Sequence, residues 1–261
     1  MVSNKREKLA RFGIATKGFV YCLIGLLTAL AAFNLGGDES DSKGALSFLA
    51  GQPFGKVLLI ITSVGLCGFV FWRLYQTITD HDHKGSDSKG ITTRIGFGIS
   101  ALFYGFLAFT AIKMVLGFGS GSGNNQVFNQ DILQKTYGQI LFFIIGAAFL
   151  GKAVFQFYRA YSEKFIEKIN MSELNERSKR MLILAGKIGF TARGIVIAII
   201  AFLIFRTAFT ANSEGTGGKA EAFQYLQSQF GSLILGVVAL GLLIYGLVMF
   251  VLARHRELHI G

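Results

Sequence analysis

The chain has 261 residues, of which 52% are apolar and only 16% charged, with 26 Phe, a single Pro and a mean hydropathy of +0.50. Soluble globular domains carry about a quarter charged residues, so this composition excludes an ordinary water-soluble enzyme or binding domain. The net charge of +11 sits beside apolar runs, so it reads as membrane topology and contact with anionic lipid, and nucleic acid is not an expected partner.

The basic start, Lys5, Arg6, Lys8 and Arg11, leads into an apolar stretch too long for a signal-peptide core and without a cleavage site. The first predicted span, Phe12 to Phe33, is therefore expected to be a retained signal anchor. Five more spans follow at Phe54 to Tyr75, Ile95 to Val115, Tyr137 to Tyr158, Ile188 to Phe209 and Gly231 to Ala253. A helix rises about 1.5 Å per residue, so about 20 residues cross an apolar layer of about 30 Å, and each segment reaches that length with its flanks. Six buried helices in a small soluble protein would leave too little amphipathic surface to face water. Cys22 and Cys67 both lie inside spans, where a thiol behaves as a small hydrophobe.

An even number of spans puts both termini on one side. That side collects 20 of the 26 Lys and Arg and is net +11, whereas the other side is net zero. The positive-inside rule then predicts cytoplasmic N- and C-termini, and the expected location is the bacterial cytoplasmic (inner) membrane.

Gly13, Gly96 and Gly189 open spans one, three and five, and Gly55, Gly138 and Gly231 open spans two, four and six, at constant offsets of 83 and 176 residues from the first repeat. Other positions keep the same offsets: Gly18, Ala101 and Gly194; Tyr21, Tyr104 and Ile197; Gly65, Ala148 and Gly241; Lys17, Ser100 and Arg193. The chain is thus read as a single membrane domain, 1–261, of three two-helix repeats, about 9–79, 91–168 and 184–256. Each repeat enters the membrane in the same direction, so any symmetry axis runs along the membrane normal. The expected fold is an all-α integral membrane protein: six transmembrane helices as three tandem helical hairpins, with pseudo-threefold symmetry about that normal. Helices approach closely in lipid through small residues, and Gly25, Ala29 and Ala32, Gly65 and Gly68, Gly146, Ala147 and Gly151, and Gly241 and Gly246 are the expected contact stripes.

Ala10-Arg11-Phe12-Gly13, Lys17-Gly18-Phe19-Val20-Tyr21 and Ile24-Gly25 resemble the first helix of the domain-of-unknown-function 1206 family. Gly44-Ala45-Leu46, Gln52-Pro53-Phe54-Gly55 and Trp72-Arg73-Leu74 resemble that family's loop and second span, and Lys187-Ile188-Gly189 with Ala192-Arg193-Gly194 repeats the opening motif. The resemblance covers nearly the whole chain. It implies a bacterial membrane protein of three two-helix units and brings no assigned activity, cofactor or catalytic residue. The second repeat departs most, with Ser100-Ala101 where the others have a cation followed by glycine.

Lys17 and Arg193 are the sharpest functional candidates, because ionisable groups within a span are costly unless paired, hydrated or able to reach the interface. Each lies about five residues inside its helix start, so snorkelling to headgroups is an adequate account. The alternative is an anion or lipid-headgroup site in which Lys17 and Tyr21, one turn apart, join Arg193 near the axis with Ser100 and Tyr104. Lys152 lies deeper, with snorkelling again the simpler reading. Asp80-His81-Asp82-His83, with His255 and His259, is too weak a pattern for a metal site, and none is expected. Gly215-Thr216-Gly217-Gly218-Lys219 lacks the spacing and the strand of a phosphate loop. No HExxH, GxSxG or paired intramembrane carboxylate occurs.

The chain therefore reads as nonenzymatic, with no catalytic residues and no cofactor, serving binding, scaffolding or assembly. Its expected partners are membrane lipids, above all anionic lipid at the cytoplasmic face, and other membrane proteins. A transporter or conduit for a small solute, ion or lipid is the alternative.

Overall fold

The computed structural model describes residues 2–36, 41–79, 88–117, 136–166, 175–210 and 219–255, which form seven α-helices with no strand among them. They are α1 (Val2–Ala32), α2 (Ser42–Ala50), α3 (Gly55–Ile78), α4 (Ser88–Val115), α5 (Thr136–Tyr161), α6 (Glu176–Thr210) and α7 (Lys219–His255). Six of these are long and apolar enough to cross a membrane. They follow one another as the three expected two-helix units, α1 with α3, α4 with α5, and α6 with α7, and the first and third of these pack as hairpins.

The short α2 was not foreseen, and neither was the extension of α7 ahead of its span. Span six is expected to open at Gly231, yet α7 begins at Lys219 and bends at Gly231, whose φ of 82° and ψ of 170° belong to a region open essentially to glycine. The Asp41 side chain accepts from the Gly44 amide at 2.7 Å and so satisfies a free N–H at the start of α2. The helix then buries Ala45, Leu46 and Leu49. The first turns of α7 bury Ala222, Phe223 and Leu226 with the same spacing. In repeats one and three, then, a short helix covers the end of the bundle opposite the termini, and it is too short to register as a span.

Around the ring, α1 packs on α3 and α7, α3 on α4, α7 on α6, and α6 on α5. The contact between α1 and α7 is the most extensive and needs glycine on both sides. A Cβ on Gly18 would sit 2.8 Å from the Gly246 carbonyl oxygen, and one on Gly246 would sit 2.6 Å from that of Gly18. Such proximity is the means by which helices gain dispersion energy where water exclusion supplies none. The Arg11 guanidinium donates to the Arg254 carbonyl and ties the two helices at the terminal end. Outward-facing positions such as Val64, Leu102, Phe106, Ile144 and Val237 are exposed and apolar, as a lipid-facing surface requires.

The ring is not closed. The two helices of the middle hairpin, α4 and α5, form no interface comparable to the others. In repeat one a Cβ on Gly13 would lie 2.6 Å from the Phe69 Cα, and in repeat three a Cβ on Gly189 would lie 2.6 Å from the Tyr245 Cα. At the equivalent Gly96 nothing is within 4 Å. The next turn agrees. Thr16 packs on Gly65 and Ala192 on Gly241, with Thr16 and Ala192 only 7% and 6% exposed, whereas Ile99 at the matching position is 58% exposed. One turn further, Val20 and Val196 are 1% and 2% exposed and Phe103 is 54%. The expected contact stripe on α5 is correspondingly corrected: Gly146 packs on Phe205, but Gly151 faces open space and Ala147 is exposed.

Candidate functional site

Inside the ring, basic side chains alternate with aromatic rings. At the end opposite the termini, the Lys219 ammonium donates to the Ser42 hydroxyl at 2.8 Å and lies 4.6 Å from the centre of the Tyr21 ring. The other neighbour of that ring is the Arg193 guanidinium, 5.2 Å from its centre. Arg193 donates from Nε to the Tyr21 hydroxyl at 3.2 Å and from a terminal nitrogen to the Tyr245 hydroxyl at 2.7 Å. It also lies 4.9 Å from the Tyr245 ring centre, while Lys17 lies 5.8 Å from the same ring. Lys17 is next to Phe69 at 5.3 Å, and Arg73 is 5.1 Å from Phe69. Lys219, Arg193, Lys17 and Arg73 are thus linked in sequence by Tyr21, Tyr245 and Phe69, in a ladder running from the distal end of the bundle toward the terminal end.

The rings lock one another. Tyr21 and Tyr245 meet edge to face at 4.9 Å, Phe69 and Tyr104 at 4.7 Å, and Phe190 and Tyr245 at 5.1 Å, with the Arg159 guanidinium over Phe190. Edge-to-face packing presents ring faces to the cations, which is where the quadrupole is negative.

Lys17, Tyr21, Tyr104 and Arg193 are brought together as the sequence placed them, with Lys17 also 5.6 Å from the Tyr104 ring. Ser100 makes none of the ladder's contacts and sits half-buried on α4. Snorkelling does not describe Lys17 or Arg193: Lys17 is buried and both turn inward onto rings. The reason is the ring itself. A span closed around aromatic faces gives a cation an inward partner, which snorkelling arguments based on depth alone leave out. Lys152 is exposed, with its ammonium 5.6 Å from the Phe149 ring centre and within electrostatic range of Arg193, Tyr21, Lys219 and Arg73.

Sequence reasoning missed Phe69, Tyr245, Arg73 and Lys219. The repeat offsets contain the missing signal, because Phe69, Lys152 and Tyr245 occupy one equivalent position. Over the three positions occupied in repeat one by Lys17, Tyr21 and Phe69, each repeat therefore contributes one cation and one tyrosine: Lys17 and Tyr21, Lys152 and Tyr104, Arg193 and Tyr245. In the second repeat the cation moves from the first helix, where Ser100 stands, to the second.

Magnitudes separate the two central cations. A cation at mid-span costs about 2.5–3.5 kcal/mol on insertion scales. Hydrogen bonds to a charged donor return about 1.5–3 kcal/mol each, so the two phenols can hold Arg193. Lys17 has ring faces, worth about 0.5–2 kcal/mol each, and no carboxylate paired with it among the described residues. Like charges about 10 Å apart repel by about 2 kcal/mol at an effective dielectric near 20. Every acidic residue of the chain falls outside the six spans read from the sequence.

No three His, Cys, Asp or Glu side chains among the described residues converge to hold a metal ion. The Asp80 to His83 segment and His259 lie outside the described residues, and the His255 imidazole rests on the Val251 carbonyl.

Comparison with known proteins finds the family described as "Domain of Unknown Function (DUF1206)" three times along the chain, at residues 12–80, 95–163 and 188–256. A relative from Bacillus subtilis (strain 168), described as "Uncharacterized protein YxxB", is 33% identical over 242 residues, covering 92% of this chain and 88% of its own. No solved structure matches.

Proposed function

We propose, starting from the fact that the chain belongs to the DUF1206 family, whose model it matches three times, that it is a nonenzymatic protein of the bacterial inner membrane that binds an anionic group in its core. The single observation behind this reading is the ladder: four cations joined through three aromatic rings, in a membrane-embedded ring whose spans contain no carboxylate. Lys17 is buried with no carboxylate beside it among the described residues, and a charge so placed is stabilised by an anion that binds it. Arg193, held by two phenols, is the fixed donor. Lys17, with only ring faces, is the charge that gains most from a bound anion. The termini are assigned to the cytoplasm by the excess of Lys and Arg on their side, where anionic lipid and a membrane-protein partner would also meet the chain.

The test is thermal unfolding of the purified protein in lipid nanodiscs, titrated with phosphate, sulfate and chloride. Wild type is expected to rise in Tm with at least one anion, and Arg193→Gln to lose about a hundredfold in affinity. Lys17→Met should unfold at a higher temperature than wild type without anion and gain less from adding it. A protein indifferent to every anion would remove this reading.

A conduit is the second reading, supported by one observation: the ladder extends from Lys219 at one end of the bundle to Arg73 toward the other. Anion flux into protein-containing liposomes, abolished by Arg193→Gln, would favour it over static binding.

A further inference from the structure

The middle hairpin is splayed where the other two are shut, and the residue at the opening is a cation. From this we infer that the gap between α4 and α5 is a lateral entrance by which an anionic phospholipid brings its phosphate to Lys152 and Arg193. This deepens the anion-binding reading and rests on it.

Three observations converge on the gap. The first is the missing interface, seen at two equivalent pairs: Gly96 with Lys152, and Ile99 with Ala148, stand apart where Gly13 with Phe69, Gly189 with Tyr245, Thr16 with Gly65, and Ala192 with Gly241 touch. The second is Lys152. It replaces Phe69 and Tyr245, both buried, yet is itself exposed while remaining in electrostatic range of the inward-facing Arg193 and Tyr21. A side chain exposed where both of its counterparts are buried marks a place where the core can be reached from outside. The third is the apolar rim. Ile99 and Phe103 on α4 are exposed beside the same opening.

These features select the occupant. In hydrocarbon a gap between helices fills with acyl chain, and Ile99 and Phe103 suit one. A free inorganic anion would have to cross that hydrocarbon to reach the opening, whereas a phospholipid arrives within the leaflet with its phosphate tethered to the chains that fill the gap. A zwitterionic headgroup carries its own cation toward Lys152 and Arg193, so a net negative headgroup such as phosphatidylglycerol is preferred. Lys152 meets the phosphate first and is a point charge on a flexible stem, while Arg193 lies deeper and is fixed by Tyr21 and Tyr245.

The experiment uses the full chain in nanodiscs containing trace photoactivatable phosphatidylglycerol or phosphatidylcholine, with adducts mapped by mass spectrometry. Phosphatidylglycerol adducts are expected to concentrate on α4 and α5 near Ile99, Phe103 and Ala148, and to be competed by unlabelled phosphatidylglycerol. Labelling there should fall about tenfold in Lys152→Gln, the loss of one charge contact. Ile99→Glu, which puts a negative charge at the rim without touching the ladder, should reduce it as well and serves if Lys152→Gln folds poorly. Equal labelling by the two lipids, or adducts spread evenly over the six spans, overturns the lateral entrance. In a parallel arm, glycerol 3-phosphate is titrated against wild type and Arg193→Gln. If it binds through Arg193 while lipid adducts show no preference, the core anion site stands and the entrance falls. If neither probe depends on Arg193, both fall together.

Discussion

The first and third hairpins are closed by glycine against backbone, and the middle one by nothing comparable, although all three derive from one repeated pattern. The difference follows from side-chain volume at a few positions. Where the closed hairpins set Thr16 against Gly65 and Ala192 against Gly241, the middle one sets Ile99 against Ala148, adding bulk to both sides of the crossing. Phe103 then replaces Val20 and Val196, and Lys152 replaces Phe69 and Tyr245. Close helix approach in lipid tolerates no such additions, so the hairpin opens and the substituted cation reaches the opening. A repeated unit can thus keep its place in a ring through its neighbours, here α3 and α6, while giving up its own internal interface.

The contrast can be broken most forcefully at the closed hairpins. Gly13→Ala or Gly189→Ala drives a methyl into the backbone of Phe69 or Tyr245, and each is expected to cost about 3 kcal/mol, read as a lowered denaturation midpoint in detergent. A smaller effect comes from the ladder's side of the third hairpin. Tyr245→Phe keeps the ring that Lys17 and Arg193 face but removes a hydrogen-bond acceptor from Arg193, and should cost about 2 kcal/mol by the same assay. The smallest change sharpens the contrast by reversing its sign. Gly96→Ala adds a methyl to a helix position with open space around it, and should stabilise by about 0.5–1 kcal/mol. If Gly96→Ala were as harmful as Gly13→Ala, the middle hairpin would have to be closed in solution.

The six spans and three hairpins were legible because each rests on a strong local signal: an uncharged run of sufficient length and a glycine recurring at a fixed offset. The inward turn of Lys17 and Arg193 was only half legible. Depth along a helix says how far a side chain must reach for the interface, but the choice between headgroup and ring face depends on what the neighbouring helix supplies, and Tyr245 and Phe69 come from partners 228 and 52 positions from Lys17. The short helix ahead of Gly55 and its counterpart ahead of Gly231 stayed hidden because Ala45, Leu46 and Leu49 bury one narrow stripe, with too few apolar residues for a span. Lys219 was lost with them, since a lysine in a presumed loop carries no hint that it enters a bundle. The splay of the middle hairpin was written at Ile99, Ala148 and Lys152, but reading it required knowing which positions touch in the other two.

The ladder also has an electrical consequence. Its cations are fixed at different depths of a membrane-spanning bundle, and one elementary charge crossing a whole membrane changes energy by about 2.3 kcal/mol per 100 mV of potential. Under the anion-binding reading proposed above, an anion reaching Arg193 from the aqueous phase has crossed part of that drop, so its occupancy shifts with voltage, rising with an interior-negative potential if it enters from the cytoplasm and falling if it enters from outside. On that reading, even a protein that moves nothing across the membrane would, through this placement of charge, hold an anion more or less tightly as the membrane potential changes.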